Sequence, residues 1–355
     1  SYNSGSNDIN NLWSQAYTAI NDANIIIAGL ATSTGVISDT LNAQYTAEAR
    51  YIRALCYFSL VTVYATPYNA DQGTSKGLPL RLQAETNGDN NDLARSTVAE
   101  VYAQILADLD AAEANLPDSY SSDLLNTTRA HKSTAIALKT RVYLTMNNFA
   151  KVVEEAAKIV PQTAAPFSTT SYGVKHALQS DITTLFGTTY TTTESIFSMP
   201  MTSTDSYSGQ SAIGYIYNAN SEYYLNPSGI LGNAQWGPND KRRSLLRVAS
   251  NLYYLKKYAK ASPYLDYIPV IRYSEVLLNY AEAQNEAVGP DASVYSAINQ
   301  IRQRSSVNQP ALAAGLTQDE MRTAIRRERQ VELAFEEHRF YDVRRWKIAT
   351  TTENV

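Results

Sequence analysis

Glu328-Arg329-Gln330-Val331-Glu332-Leu333-Ala334-Phe335-Glu336-Glu337-His338-Arg339-Phe340-Tyr341-Asp342-Val343-Arg344-Arg345-Trp346, with the Thr317-Gln318-Asp319-Glu320 ahead of it, is the stretch whose reading decides the fold. Thr317 and Glu320 have the spacing of a capping box, in which hydroxyl and carboxylate each take an orphan backbone N–H at a helix start. Glu328, Glu332 and Glu336 then fall at i, i+4 and i+8, a column of carboxylates on one stripe of a helix. Like charges at that spacing repel by roughly 0.2–0.5 kcal/mol per pair on an isolated helix. The column therefore needs cations, and Arg329, Arg339, Arg344 and Arg345 lie within sequence reach. Leu333, Phe335 and Trp346 interleave with the charges, which suits a segment locked onto a core better than a separate reactive face.

Helical patterning extends over most of the chain. Leu12, Ala16, Ala19, Ala23 and Ile26-Ile27 recur at helical spacing, with Gly29 as a stop. A second helix is expected from about 45 to 64, ahead of Pro67. A third opens on another capping box, Thr97 with Glu100, and runs through Val101, Ile105 and Leu109 toward Pro117. Residues 133–146 and 149–160 flank an Asn147-Asn148 turn, and 273–287 and 292–304 flank Gly289-Pro290. Small residues such as Ala135, Ala137, Ala150, Ala156 and Ala157 let paired helices approach closely. Pairs of this kind bury their faces only by stacking, as tetratricopeptide units do.

The expected fold class is mostly α: tetratricopeptide-like helical hairpins forming an α-helical scaffold, with a long loop-rich insertion carrying a few short strands. We place the scaffold at 1–160 and 263–349 of a single domain spanning 1–355. The insertion, 161–262, is rich in Ser, Thr, Asn, Gly and Tyr and poor in helical period. Residues 194–200 within it read as a short strand. An insertion of that length is too long for an idle link inside a compact domain, so function is expected to sit there.

Three motifs carry a family resemblance. Glu328-Arg329, Glu332-Leu333-Ala334-Phe335-Glu336, Arg339 and Asp342-Val343-Arg344-Arg345-Trp346 resemble the closing motif of SusD/RagB-like proteins. A second match is Tyr264-Leu265-Asp266-Tyr267-Ile268-Pro269-Val270-Ile271-Arg272-Tyr273, continuing through Glu275, Leu277-Leu278 and Tyr280-Ala281-Glu282-Ala283. A third is Ala47-Glu48-Ala49-Arg50-Tyr51-Ile52-Arg53-Ala54 with Tyr57-Phe58. The resemblance implies a non-catalytic glycan-binding lipoprotein of Bacteroidetes, lipid-anchored at the outer face of the outer membrane. Its partner would be a TonB-dependent, SusC-like transporter to which it delivers oligo- or polysaccharide. No cofactor is implied beyond the structural Ca²⁺ found in some relatives. Residue 1 is Ser in a Ser/Asn/Gly lead without an apolar signal stretch or a lipidated cysteine. The sequence is therefore expected to be a trimmed piece of a longer chain, and its anchor is implied by resemblance alone.

Composition narrows the alternatives. The chain has 355 residues, 44% hydrophobic and 18% charged, which reads as globular. Its net charge of −4 is spread along the length, so nothing recommends a nucleic-acid partner. Cys56, the single cysteine, excludes an internal disulfide framework and a multi-thiolate metal site, and its apolar surroundings suit a buried thiol. His131, His176 and His338 lack metal-ligand spacing, and no phosphate loop, nucleophile elbow or zinc-protease motif occurs. A glycosidase needs only two suitably spaced carboxylates, but no motif points to one. The rival to glycan capture is a helical-repeat adaptor for a protein or peptide, which would need no long aromatic insertion.

There are 26 Tyr against 7 Phe, and Tyr offers sugars a flat apolar face with a hydroxyl at its rim. The densest run of rings and amides is Tyr207, Tyr215, Tyr217, Asn218, Asn220, Glu222, Tyr223, Tyr224, Asn226, Asn233, Gln235, Trp236, Asn239 and Asp240. Trp236, between Gly232 and Gly237-Pro238, sits in turn chemistry and is expected to be a stacking platform, with Tyr215, Tyr217, Tyr223, Tyr224 and Asn239 around it. Trp13 and Trp346 fall in helical motifs and are expected in the core. The bland reading of the run is a Tyr-rich loop packed on its scaffold. The resemblance adds the loop after the second helix, where Tyr68, Asn69 and Asp71 would border the glycan. Lys241-Arg242-Arg243 reads as a solvated charge run.

Overall fold

The computed structural model describes residues 6–347 apart from 90, 188, 189, 208, 235 and 307. Seven α-helices come first: α1 (Asn7–Thr32), α2 (Asp39–Tyr64), α3 (Tyr68–Asp71), α4 (Val98–Asn115), α5 (Asp123–Thr128), α6 (Lys132–Thr145) and α7 (Phe149–Ala157). Six short strands follow: β1 (Ser168–Ser171), β2 (Val174–Ala177), β3 (Ser195–Met199), β4 (Leu246–Ala249), β5 (Leu252–Leu255) and β6 (Ile268–Arg272). Then come α8 (Tyr273–Ala287), α9 (Ala292–Ser305), α10 (Gln318–Glu332) and α11 (His338–Arg345). The structure is 53% helical, as the mostly-α reading requires.

Both capping boxes form. Thr97 Oγ1 accepts the Glu100 N–H at 3.2 Å while Glu100 Oε2 accepts the Thr97 N–H at 2.7 Å. Thr317 and Glu320 do the same at 3.3 and 2.8 Å. Three boundaries differ from the sequence reading, one of them the end of α7, which stops at Ala157 rather than 160. α1 runs through Gly29 to Thr32, since a helical glycine costs only about 1 kcal/mol against alanine. α2 begins at Asp39, because Ser38 takes the Leu41 N–H at 3.2 Å and caps it.

The chain forms two compact units. In the first, which runs to Ser119 and adds Ala130–Asn148, α2 packs on α1 and on α4, and α4 packs on α6. Tyr51, Ala54, Phe58 and Val61 of α2 are buried, as are Ile20 and Ala23 of α1 and Val101, Ile105 and Leu109 of α4. One charge lies in this apolar setting. Arg53 donates to Asp108 Oδ2 at 2.8 Å and Oδ1 at 2.6 Å on α4, and to Asn24 Oδ1 at 2.7 Å on α1. Its fork thus ties three helices together.

The second unit holds Tyr120–Arg129 and the chain from Phe149 onward. Its hub is α8, which packs on α7, α9 and α10 and buries Val276, Leu277, Leu278 and Ala281 completely. α8 and α9 are the tetratricopeptide-like hairpin expected there, turning at Gly289, whose φ of +110° only glycine adopts without strain. The strands make three antiparallel pairs, β1–β2, β3–β6 and β4–β5. The helices expected around Asn147-Asn148 are α6 and α7. The division between units falls at their turn, so α6 packs on α4 and α7 on α8. No helix among the described residues is long and apolar enough to cross a membrane.

Replacing Arg53 with Met leaves Asp108, fully buried, with only the longer 3.2 Å contact from Arg50. The expected cost is about 3–5 kcal/mol in urea unfolding, whereas Thr97→Ala, which removes a cap, costs about 1 kcal/mol. An Arg53→Met protein no less stable than Thr97→Ala would refute the assignment of Arg53 as the tie.

Candidate functional site

The carboxylate column is buried, and its partners are not the expected ones. α10 ends at Glu332, and Leu333–Glu337 form a turn with φ of +61° at Phe335 and +67° at Glu337. Glu336 therefore leaves the helical stripe. Arg272, at the end of β6, is the centre. It donates to Glu336 at 2.7 and 2.8 Å, to Glu194 at 2.6 Å, to Glu332 at 3.1 Å and to the Glu332 carbonyl at 3.0 Å. Arg304 of α9 bridges Glu194 at 2.8 Å and Glu332 at 2.6 Å. Arg242 bridges Asp240, Glu328 at 2.6 Å and Glu332 at 3.0 Å, and Lys257 pairs with Glu336. The nearby arginines serve elsewhere: Arg329 binds Asp342 at 2.8 Å, and Arg345 binds Glu282 at 2.6 and 2.7 Å. So the cations come from β6, α9 and the long loop, not from the closing segment.

The run Lys241-Arg242-Arg243 is likewise not a solvated stripe. Lys241 pairs with Asp181 at 3.0 Å, Arg242 is buried in the network, and Arg243 grips the loop. Its guanidinium lies 4.8 Å from the Trp236 ring centroid and donates to the Trp236 carbonyl at 2.5 Å and the Gly237 carbonyl at 3.0 Å.

Trp236 itself is 4% exposed, clustered with Leu225 and with Val331 of α10. This is a correction to the platform reading of Trp236: its ring is the apolar anchor of the loop, because Val331 and the partly buried Ile230, Leu231, Leu246 and Phe335 close around it. Tyr215 and Tyr217 are half-buried in a single π-helical turn, Tyr215–Ala219, edge-on to Tyr264 at 5.8 Å and Phe335 at 5.4 Å. Burial pushes the Tyr217 hydroxyl above its ordinary pKa.

Tyr223 and Tyr224 stand out in solvent at 58% and 54% exposed, and Tyr207 and Asn239 are exposed as well. The Leu225 N–H donates to the Tyr253 carbonyl at 2.8 Å, which lays this segment beside β5. Tyr253 and its cross-strand partner Val248 are 40% and 61% exposed and share a face of the β4–β5 hairpin. Arg247 braces that hairpin from beneath, 4.3 Å from the Tyr254 ring centroid, and donates to the Asn218 carbonyl at 2.6 and 2.9 Å. Sequence reading missed Val248 and Tyr253. The signal was there: two short apolar-rich runs, 246–249 and 252–255, on either side of Ser250-Asn251, whose positive φ values make the two-residue turn. Gln235 lies outside the described residues.

The 66–72 loop belongs to the first unit and points largely at itself. Tyr68 is half-buried against Tyr102, with centroids 5.1 Å apart, and Asn69 is buried. Asp71 accepts the Gly73 N–H at 3.0 Å, the Ser75 N–H at 3.1 Å and the Ser75 hydroxyl. The Ser75 hydroxyl bond is the main reason its carboxyl sits below the usual range. Trp13 is half-buried against Tyr17 and Tyr64, and half-buried Trp346 donates to Glu282 at 2.8 Å.

Burial pushes the Cys56 thiol up to about 11, which keeps it protonated at neutral pH. No group of three His, Cys, Asp or Glu residues among the described ones is arranged to hold a metal ion. Glu194, Glu332 and Glu336 are each held by Arg or Lys side chains in the interior, whereas the 207–240 segment exposes rings and amides.

Two family descriptions match the sequence: "SusD family" over residues 185–355, and "Starch-binding associating with outer membrane" over residues 1–144. SusD-like protein P2 of Formosa agariphila is 28% identical over 397 residues, covering 95% of this chain and 71% of that one. A SusD superfamily protein from Bacteroides fragilis superposes with a TM-score of 0.84 at 30% identity, covering 94% of this chain and 74% of that one. A Bacteroides vulgatus protein described as a putative sugar-binding protein superposes at 0.79 with 25% identity, covering 94% and 72%.

The ion-pair network fixes an acid limit. Burial alone would raise Glu282, but Arg345 holds it down at about 2 against an ordinary 4.5. Burial likewise works against Arg304, Arg272 and Arg242 at Glu332, and against Arg272 and Lys257 at Glu336, and both end below the usual range. Carboxylates depressed in the fold bind protons more readily when unfolded, so their stabilisation is complete above about pH 4.5 and is lost as pH falls toward about 2. Glu328, raised by burial, has the opposite sign and offsets part of this. The unfolding midpoint should hold from pH 7 to about 5 and fall steeply below about 4.5; a flat profile down to pH 3 contradicts it. At pH 7, Arg272→Met takes one cation from each of three buried carboxylates, Glu194, Glu332 and Glu336, and should cost about 3–5 kcal/mol, read by urea unfolding.

Proposed function

The chain belongs to the SusD family, and on that premise we propose that it is a non-catalytic, lipid-anchored surface protein. It captures oligo- or polysaccharide at the outer membrane and delivers it to a TonB-dependent, SusC-like transporter. The observation that carries the capture is the exposure of Tyr223, Tyr224 and Tyr253, on a loop and a hairpin joined by the Leu225 N–H to the Tyr253 carbonyl and braced by Arg247. A stacked ring contributes on the order of 1 kcal/mol beyond its buried area. A glycan touching several rings at once therefore gains far more than one residue would. Asn220, Asn239 and Glu222, on the same loop, supply amides and a carboxylate for hydroxyls. No bond is broken and no cofactor takes part. The starch-binding description of the family and the sugar-binding description of the Bacteroides vulgatus relative support this ligand class.

For the partner, the first unit offers a mostly apolar groove of about 540 Å³ along α1 and α2, lined by Ala23, Ile26, Leu30 and Ile52 among others, with the acids Asp22 and Glu48 also in its wall. Ile26 is 49% exposed and Tyr45 36%. Exposed apolar side chains grouped in this way mark a protein-facing surface, and we assign it to the transporter.

Affinity electrophoresis against plant, fungal and mucin glycans should retain the protein on one glycan class. Tyr224→Ala and Tyr253→Ala should each weaken retention about fivefold. Trp236→Ala should lower the unfolding temperature as well as retention, because it empties the anchor beneath the loop. Retention indifferent to all three would move the site away from this face. Retention by no glycan, with transporter binding intact, would favour the adaptor reading. Ile26→Glu should abolish co-purification with the transporter while leaving glycan retention unchanged.

A further inference from the structure

Beside α9, in the second unit, runs an open groove of about 540 Å³. α9 presents Ser296, Asn299, Gln300 and Gln303 to it, at i, i+3, i+4 and i+7 of one helix face. Three of these side chains commit their oxygens to the backbone. Ser296 Oγ accepts the Ala165 N–H at 2.7 Å, Asn299 Oδ1 the Leu312 N–H at 2.9 Å, and Gln300 Oε1 the Phe167 N–H at 2.9 Å. An amide whose oxygen accepts an N–H cannot be flipped, since its nitrogen has no lone pair to offer. The –NH2 groups of Asn299 and Gln300 are thereby fixed as donors, and neither has an acceptor among the described residues. Gln303, about 6 Å further along the helix, is exposed and makes no hydrogen bond there. Arg304 also lines the groove, and its buried Nε–H has no partner.

The wall is thus rich in unspent donors, and the rest of the lining is apolar at Leu178, Ala165 and Ala311 and polar at Gln179 and Ser180, with the Gln179 –NH2 donating to Thr193 at 2.7 Å. No aromatic ring lines it, so a sugar face cannot stack there. The Arg304 charge is already met by Glu194 and Glu332, so no excess positive charge recommends a carboxylate. A neutral carbonyl with a methyl group beside it answers both the donors and the apolar floor.

We propose that this groove is a second glycan subsite that receives an acetamido group, so that the captured chain contains N-acetylhexosamine. The proposal rests on the capture reading above and adds to it the chemistry of one sugar unit.

Calorimetric titration with chitotetraose and cellotetraose tests it, since the two share a linkage and differ at the acetamido position. The wild type should bind chitotetraose at least about tenfold more tightly, as one or two well-placed hydrogen bonds allow. Asn299→Asp with Gln300→Glu keeps the oxygens that hold Leu312 and Phe167 and replaces the –NH2 donors with carboxylate oxygens, which adds two negative charges to the groove. It should erase that preference and leave the unfolding temperature unchanged. If the double variant does not fold, Gln303→Ala, at an exposed side chain, should still weaken chitotetraose about fivefold. Equal affinity for the two tetramers in the wild type, or a preference untouched by these variants, overturns the subsite. Loss of both sugars in Tyr224→Ala alongside such an untouched preference leaves capture standing and removes only this inference. Binding of neither sugar, nor of any glycan on the panel, sinks both readings. Binding of tetra-alanine that the groove variants abolish would give the groove to a peptide instead.

Discussion

A buried guanidinium organises the second unit. Arg272, 2% exposed, is met by Glu194 ahead of β3, Glu332 at the end of α10 and Glu336 in the turn beyond it. Removing a charge from water costs several kcal/mol, and only a fully bonded geometry offsets that. The arrangement is therefore exacting: β3, β6 and the end of α10 must meet in one register for the charges to be satisfied. Arg304 and Arg242 extend the same condition to α9 and to the long loop. An apolar core of similar energy would tolerate more than one docking of the closing helix.

The surface chemistry stands on this network. Arg242 binds α10 through Glu328 and Glu332, its neighbour Arg243 holds Trp236, and Trp236 packs on Val331 of the same helix. The loop is so pinned at its base by charge and by an indole, and Tyr223 and Tyr224 are left to face solvent near the β4–β5 hairpin. Rigid attachment with exposed rings suits recognition by a preformed face, where little ordering entropy is lost on binding.

Each of the three motifs behind the family resemblance contains such a charge. Arg53 lies in the Ala47–Phe58 motif, Arg272 in the Tyr264–Ala283 motif, and Glu332, Glu336, Asp342 and Arg345 in the closing one. The Arg53 fork holds three helices of the first unit, and Arg272 and its carboxylates hold the second. The same residues that made the family legible are thus scaffold residues. That is why the motifs say so little about the ligand: the rings that would meet a sugar lie between them, in segments with weak periodicity.

Local physics was readable from the sequence because its causes lie within a few residues. Capping boxes at Thr97 and Thr317, the helix pair around Gly289, the strand at 195–199 and the carboxylates of α10 all follow from spacing over one or two turns. Partners far along the chain were not readable. Glu332 finds Arg242, Arg272 and Arg304, between 28 and 90 residues away, although nearer arginines were available by spacing. Trp236 looked like a platform because its neighbours are turn formers, and only Val331, brought up from α10, turned it into a core residue. Spacing decides which side chains share a face of one element; it carries no information about which other element that face will meet. That pairing is decided by the total cost of leaving any one charge or ring uncovered, a quantity that exists only once the chain is folded.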